Sequence, residues 1–194
     1  MIRELSSAVA EWMKQEGVIS SEEKELFSYA MYSLLFGLLP FFIVAMLGIA
    51  FGMLREGLLM SVPFMLIRKF SGGYHLNSPK LCVICSTILL ALAMRFIQVI
   101  VWGGYIKLLT MLVAFSVICL CIFSPVDSSF RKLTIKEKQI FRKVACIIAI
   151  ISLIGYMVMC ATIPNEYTVA FGVGIILAAT LQIIAVLAKA RGGM

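Results

Sequence analysis

His75 and Cys82 stand seven residues apart in a polar break, Arg68-Lys-Phe-Ser-Gly-Gly-Tyr-His-Leu-Asn-Ser-Pro-Lys-Leu-Cys82, between two apolar stretches. His75 is the one histidine of the 194 residues, so any proton transfer by an imidazole near neutral pH falls to it. A thiol beside an imidazole is the minimum equipment for nucleophilic attack on a carbonyl: the base takes the thiol proton and the thiolate attacks. On one continuous helix the two side chains would share a face but lie about 10.5 Å apart along the axis, too far for a hydrogen bond. Ser78-Pro79 breaks that geometry, and a chain reversal there could bring them within the roughly 3 Å that activation requires.

The residues around the pair suit this chemistry. Gly72 and Gly73 release the backbone from side-chain steric limits and allow a tight turn just before the histidine. Ser78 is a good N-cap and Pro79 suits the first helical position, which puts Cys82 in the first turn of the next helix. Unpaired N–H groups there, together with Arg68, Lys69 and Lys80, favour a negative charge on sulfur and could also stabilise an oxyanion. Two plainer readings compete: an interfacial histidine with an unrelated packing cysteine, and a metal site built on Cys82, Cys85 and His75. The second lacks a visible fourth ligand. No metal and no cofactor are expected.

The elements that must position these residues belong to a membrane. The chain is 62% apolar and 14% charged, with a mean hydropathy of +1.04, whereas soluble domains are about half apolar and a quarter charged. An all-α integral membrane protein is expected over residues 1–194, a single polytopic domain with about six spanning helices, one of them short or re-entrant. The net charge of +7 follows from lysine and arginine gathering in cytoplasmic loops, not from nucleic-acid binding, since no basic stretch carries interleaved stacking aromatics. The six cysteines mostly lie in apolar stretches and read as packing residues, not as a disulfide framework. The first 27 residues hold six glutamates and no unbroken apolar core, so no secretory leader is expected.

Residues 1–26 read as an N-terminal amphipathic segment. Ile2, Leu5, Val9, Trp12 and Met13 recur at helical spacing up to about Gly17, and Ser20 with Glu23 forms a capping box for the next helix. That first helix either lies on the membrane surface or packs on the rest of the protein. Spans follow at about 27–54 (with Pro40 inside), 57–67 (about 17 Å, short for a crossing), 79–102, 105–123, 144–163 and 168–188. Gly48 and Gly52 form a small-xxx-small pair that could let another helix approach. The break at 68–80 and the loop at 124–143, whose segment Arg131 to Lys143 carries six cations against Glu137, should face the cytoplasm, with both termini inside. Arg95 lies well inside the third span and is expected to snorkel outward or pair with Glu56.

Arg68, Gly72-Gly73, His75 and Cys82, together with Ser124-Pro-Val126 and the lysine-rich loop after it, resemble the accessory gene regulator protein B (AgrB) family. The resemblance extends over most of the chain. It implies a membrane cysteine endopeptidase, with Cys82 as nucleophile and His75 as general base. Such an enzyme cleaves the acidic C-terminal tail from an AgrD-type precursor peptide and promotes cyclisation to a thiolactone or lactone for quorum sensing. It further implies a homodimer in the lipid bilayer of a bacterial cell, an active site at the cytoplasmic face, and binding of the precursor by Arg68, Lys69, Gly72 and Gly73. The family commonly carries a small residue where this chain has Leu76. Glu56, Glu166, Asp127 and Glu137 all lie away from the pair, so no third catalytic acid is expected, and Asn77 or a backbone carbonyl could orient the imidazole. The alternatives are a peptide transporter or exporter that moves its cargo uncut, and a sensor or scaffold whose basic loops recruit a partner.

Overall fold

Among the described residues, helix-stop signals cut the apolar sequence into seven helices: α1 Ile2–Gln15, α2 Lys24–Phe51, α3 Leu54–Ser71, α4 Pro79–Gly103, α5 Ile106–Phe123, α6 Ile135–Thr162 and α7 Glu166–Ala190. The computed structural model describes residues 2–71, 79–126, 134–163 and 165–190. There is no strand among the described residues. Five of the helices, α2, α4, α5, α6 and α7, are long and apolar enough to cross a membrane. The outward surfaces agree with lipid as the surrounding solvent. On α5, Leu108, Met111, Phe115, Ile118 and Ile122 form an exposed stripe, opposite the buried Leu109, Val113, Val117 and Leu120. This is an all-α, multi-pass membrane protein.

The chain divides into two units, Met1–Ile43 and Val44–Met194. In the first, α1 stops where Gly17 takes a positive φ of 71°, a conformation that costs glycine little. The capping box then forms as the spacing predicts: the Glu23 carboxylate accepts from the Ser20 N–H at 3.0 Å and the Ser20 hydroxyl accepts from the Glu23 N–H at 3.3 Å. Lys24 forms an ion pair with Glu11. Helix α1 buries Ser6 and Ala10 and exposes Leu5 and Trp12. Helix α2 runs through Pro40 without a break in its helical assignment.

In the second unit, α7 is the central element and packs against α3, α4, α5 and α6. It does so with small residues: Ala170, Gly172, Val173, Gly174, Ala178, Ala179 and Ala185 are all buried. The short second span expected at 57–67 is extended at both ends into α3, with 18 residues or about 27 Å. Its last turn carries Arg68 and Lys69, cations at the end the helix dipole favours, while Arg55 and Glu56 offset each other in the first. Those ends keep it from qualifying by hydropathy alone.

Three expectations need correction. Gly48 and Gly52 are not a helix-pairing face. Gly52 has a φ of 68°, and the Met53 N–H returns to the Gly48 carbonyl at 2.7 Å, so the two glycines end α2 and turn the chain into α3. A Cβ on Gly48 would fall 2.8 Å from the Leu54 Cα within that same turn. Secondly, the span expected from Val144 starts at Ile135, so Lys136, Lys138, Arg142 and Lys143 lie on the first turns of α6 and not in a loop. Thr134 caps that helix: its hydroxyl accepts from the Glu137 N–H, and the Glu137 carboxylate accepts from the Thr134 N–H at 2.8 Å. Thirdly, Arg95 does not pair with Glu56. Its guanidinium donates to Gln98 at 2.9 Å and sits 4.6 Å from the centroid of the Phe51 ring.

Candidate active site

Of the residues singled out in the sequence, Arg68 and Lys69 lie in the last turn of α3 and Cys82 in the first turn of α4. Arg68 is half-buried in the last turn of α3, with its guanidinium 5.7 Å from the Phe64 ring centroid. Lys69, one position on, is exposed, with its ammonium 5.8 Å from the Phe70 ring centroid. Phe70 meets Phe141 of α6 at 6.1 Å between ring centroids, which packs the end of α3 against the basic first turns of α6. Ser71 closes α3 and is buried.

Helix α4 begins at Pro79, so Cys82 is the fourth helical residue, in the first turn, and it is half-buried. N–H groups of that turn have no helical carbonyl to bond. Burial pulls the Arg68 guanidinium below its ordinary value, and the charge of a Cys82 thiolate acts in the opposite direction. The two groups therefore lie within electrostatic reach of each other across the break. Arginine keeps its proton in any case, so the charge at the end of α3 is permanent. Cys85, one turn further along α4, is exposed, and all six cysteines are free thiols. Gly72, Gly73 and His75 lie outside the described residues. Among the described residues, then, Arg68 and Cys82 interact electrostatically, while Lys69 is exposed.

Two hydrogen-bonded contacts support this end of the bundle, one of them at the Ser124-Pro-Val126 motif and the other at Gln182, which the sequence pattern did not mark. The Val126 N–H donates to the Ser71 carbonyl at 3.0 Å, which fastens the Ser124-Pro-Val126 turn after α5 onto the last residue of α3. Gln182, buried in α7, donates through Nε2 to the Phe123 carbonyl at 2.9 Å and to the Ser124 hydroxyl oxygen at 3.4 Å. A lone glutamine inside an otherwise apolar span is costly enough to have signalled a role.

The fold and this site define a class, the polytopic α-helical membrane proteins that hold a cysteine in the first turn of a helix beside a basic helix end. The chain belongs to the accessory gene regulator B family, whose description matches residues 6–186. It is 27% identical over 147 residues to a Clostridium perfringens (strain 13 / type A) protein provisionally named AgrB-like protein 2, a match covering 72% of this chain and 67% of the relative. A second AgrB-like protein, from C. perfringens (strain SM101 / type A), is 26% identical over 150 residues with the same coverage. No solved structure matches the chain.

Proposed function

We propose that this protein is a membrane cysteine endopeptidase that removes the acidic C-terminal tail of an AgrD-type precursor peptide and promotes its cyclisation to a quorum-sensing signal. The observation that carries the reading is Cys82 in the first turn of α4, within the field of Arg68 at the end of α3, with the segment bearing Gly72-Gly73-Tyr74-His75 joining the two.

The chemistry follows from those groups. His75 takes the thiol proton, and the Cys82 thiolate attacks the carbonyl carbon of the peptide bond that precedes the tail. Free N–H groups of the first α4 turn stabilise the oxyanion. On collapse the C–N bond breaks, His75 returns its proton to the departing amine, and the tail leaves. The body of the peptide stays as a thioester on Cys82. A cysteine or serine within the peptide then attacks that thioester, the new thioester or ester closes a ring, and the Cys82 thiol is regenerated. Exchange of one thioester for another is close to isoenergetic, so a site shielded from water preserves the activation that hydrolysis would dissipate.

The basic end of the bundle is suited to an acidic tail. Arg68 binds a tail carboxylate, and the cations of the first α6 turns (Lys136, Lys138, Arg142 and Lys143) draw the peptide in from the cytoplasmic face. Gly72 and Gly73 let the precursor backbone approach, and two copies of the chain assemble in the bacterial cell membrane. The test uses full-length protein in liposomes with a candidate precursor, read by mass. His75→Ala and Cys82→Ser each lower cleavage by at least about 10²-fold while the protein still inserts. Unimpaired cleavage by either variant would sink the proposal, and translocation of an uncut peptide would favour an exporter instead.

A further inference from the structure

A buried glutamine is an expensive way to fill space between membrane helices. Gln182 is 1% exposed, and its side-chain oxygen Oε1 is buried without a hydrogen-bond partner among the described residues. Its amide nitrogen is fully used, on the Phe123 carbonyl at 2.9 Å and the Ser124 hydroxyl oxygen at 3.4 Å. The Phe123 carbonyl belongs to the last turn of α5, where no helical donor remains. Ser124 is itself buried, at 4% exposure, and two residues on the Val126 N–H holds the Ser71 carbonyl at 3.0 Å. Ser71 is the residue immediately before Gly72-Gly73-Tyr74-His75. A chain of hydrogen bonds and three residues of backbone thus runs from the most buried helix, α7, through the turn after α5, to the point where the histidine-bearing segment leaves α3.

From this linkage we propose that Gln182 is a positioning residue for the peptidase reaction: by holding residues 124–126 it fixes the end of α3 at Ser71, the last described residue before the stretch of sequence that carries His75. The proposal rests on the His75–Cys82 reading given above. Gln182 touches neither the thiol nor the substrate in this scheme. Its contribution is geometric, transmitted through the turn and Ser71. A glutamine leaves an acceptor unmatched in a buried layer, which costs stability, whereas an apolar residue of the same length would fill the space without one. The amide donor meets the segment whose Val126 N–H holds the Ser71 carbonyl.

The test needs no precursor. Full-length protein in lipid nanodiscs is alkylated with iodoacetamide at pH 7, and the rate at Cys82 is read by site-resolved peptide mass spectrometry for the parent, His75→Ala, Gln182→Met and the His75→Ala/Gln182→Met double variant. Gln182→Met slows Cys82 alkylation at least about threefold, and the double variant is no slower than His75→Ala alone, because both losses act through the same imidazole. Gln182→Glu, neutral in this apolar layer, retains an O–H donor for the Phe123 carbonyl and restores most of the parent rate. A simple packing role gives a different pattern, with the effects of Gln182→Met and His75→Ala multiplying, and that result overturns the proposal. So does an unchanged rate in Gln182→Met. If His75→Ala itself leaves the rate unchanged, the His75–Cys82 reading falls first, and that failure is recognised without reference to Gln182.

Discussion

Gly174 of α7 lies directly against the backbone of Met60 in α3: a Cβ on Gly174 would collide with the Met60 carbonyl oxygen and fall 2.8 Å from Cγ of Pro63. No side-chain rotation relieves a clash with backbone, so Gly174→Ala forces α3 and α7 apart. The expected cost is about 1–3 kcal/mol. Gly57→Ala is a fitting control, because the added methyl there meets the flexible end of the Met94 side chain. Thermal unfolding in detergent should show a clear fall in Tm for Gly174→Ala and a smaller one for Gly57→Ala. Equal shifts would contradict this account of the α3–α7 contact.

Helices α5 and α6 are joined by a hydrogen bond between Thr110 and the fully buried Tyr156, 3.0 Å between the hydroxyls. Thr110 also donates to the Ile106 carbonyl at 2.9 Å, so the Tyr156 hydroxyl is the donor between them. Tyr156→Phe keeps the ring that packs on Gly172 and removes only the hydroxyl. Interhelical hydrogen bonds in membranes are worth about 0.6 kcal/mol on average and about 1.7 at most. The variant should therefore fold normally, with unfolding shifted by no more than that amount.

Arg68 stands within the field of Cys82, so its charge should govern the reactivity of that thiol. Removing a cation beside a developing thiolate disfavours the anion. Arg68→Gln is expected to slow alkylation of Cys82 at pH 7 roughly two- to fivefold, with Arg68→Lys intermediate. High salt should narrow the gap between variant and parent. Identical rates in all three proteins would show that Arg68 serves only to anchor the end of α3.

The capping box at the start of α2 carries a pH signature. Hydrogen bonds from the Ser20 N–H and hydroxyl hold the Glu23 carboxyl below the usual carboxylate value. A depressed folded value means that the box stabilises this helix start at neutral pH, above the unfolded value of about 4.3, and that the contribution is lost as pH falls through the folded value. Hydrogen exchange over residues 18–26 should be faster in Glu23→Ala than in the parent at pH 6, and the two should converge as the pH falls through the folded value of Glu23. A difference that persists in acid would assign the protection to something other than the carboxylate.

The start of α4 at Pro79 was legible because proline and capping residues act locally, whereas Arg68 to Ser71, expected in the break, form the last turn of α3. The Ser20–Glu23 box was legible for the same reason. The equivalent box at Thr134–Glu137 is equally local, but the lysines around it give that stretch the composition of a loop. Four of those cations instead occupy the first turns of α6, where a capped helix tolerates an exposed charged face.

By itself the sequence determined the class of the molecule, since its apolar content leaves no soluble fold open, and it determined which residues could do chemistry, since one histidine and the thiol after it stand in a single polar break. Only the tertiary structure decided that α7 is the central helix, because burial depends on which faces meet and all the spans are apolar on every side. It likewise decided that Gly48 and Gly52 end a helix while Gly172 and Gly174 make the close approaches. The ties from Gln182 to Ser124 and from Val126 to Ser71 join residues more than fifty positions apart in the chain. Contacts of that kind carry no local pattern, and they exist only once the helices are packed.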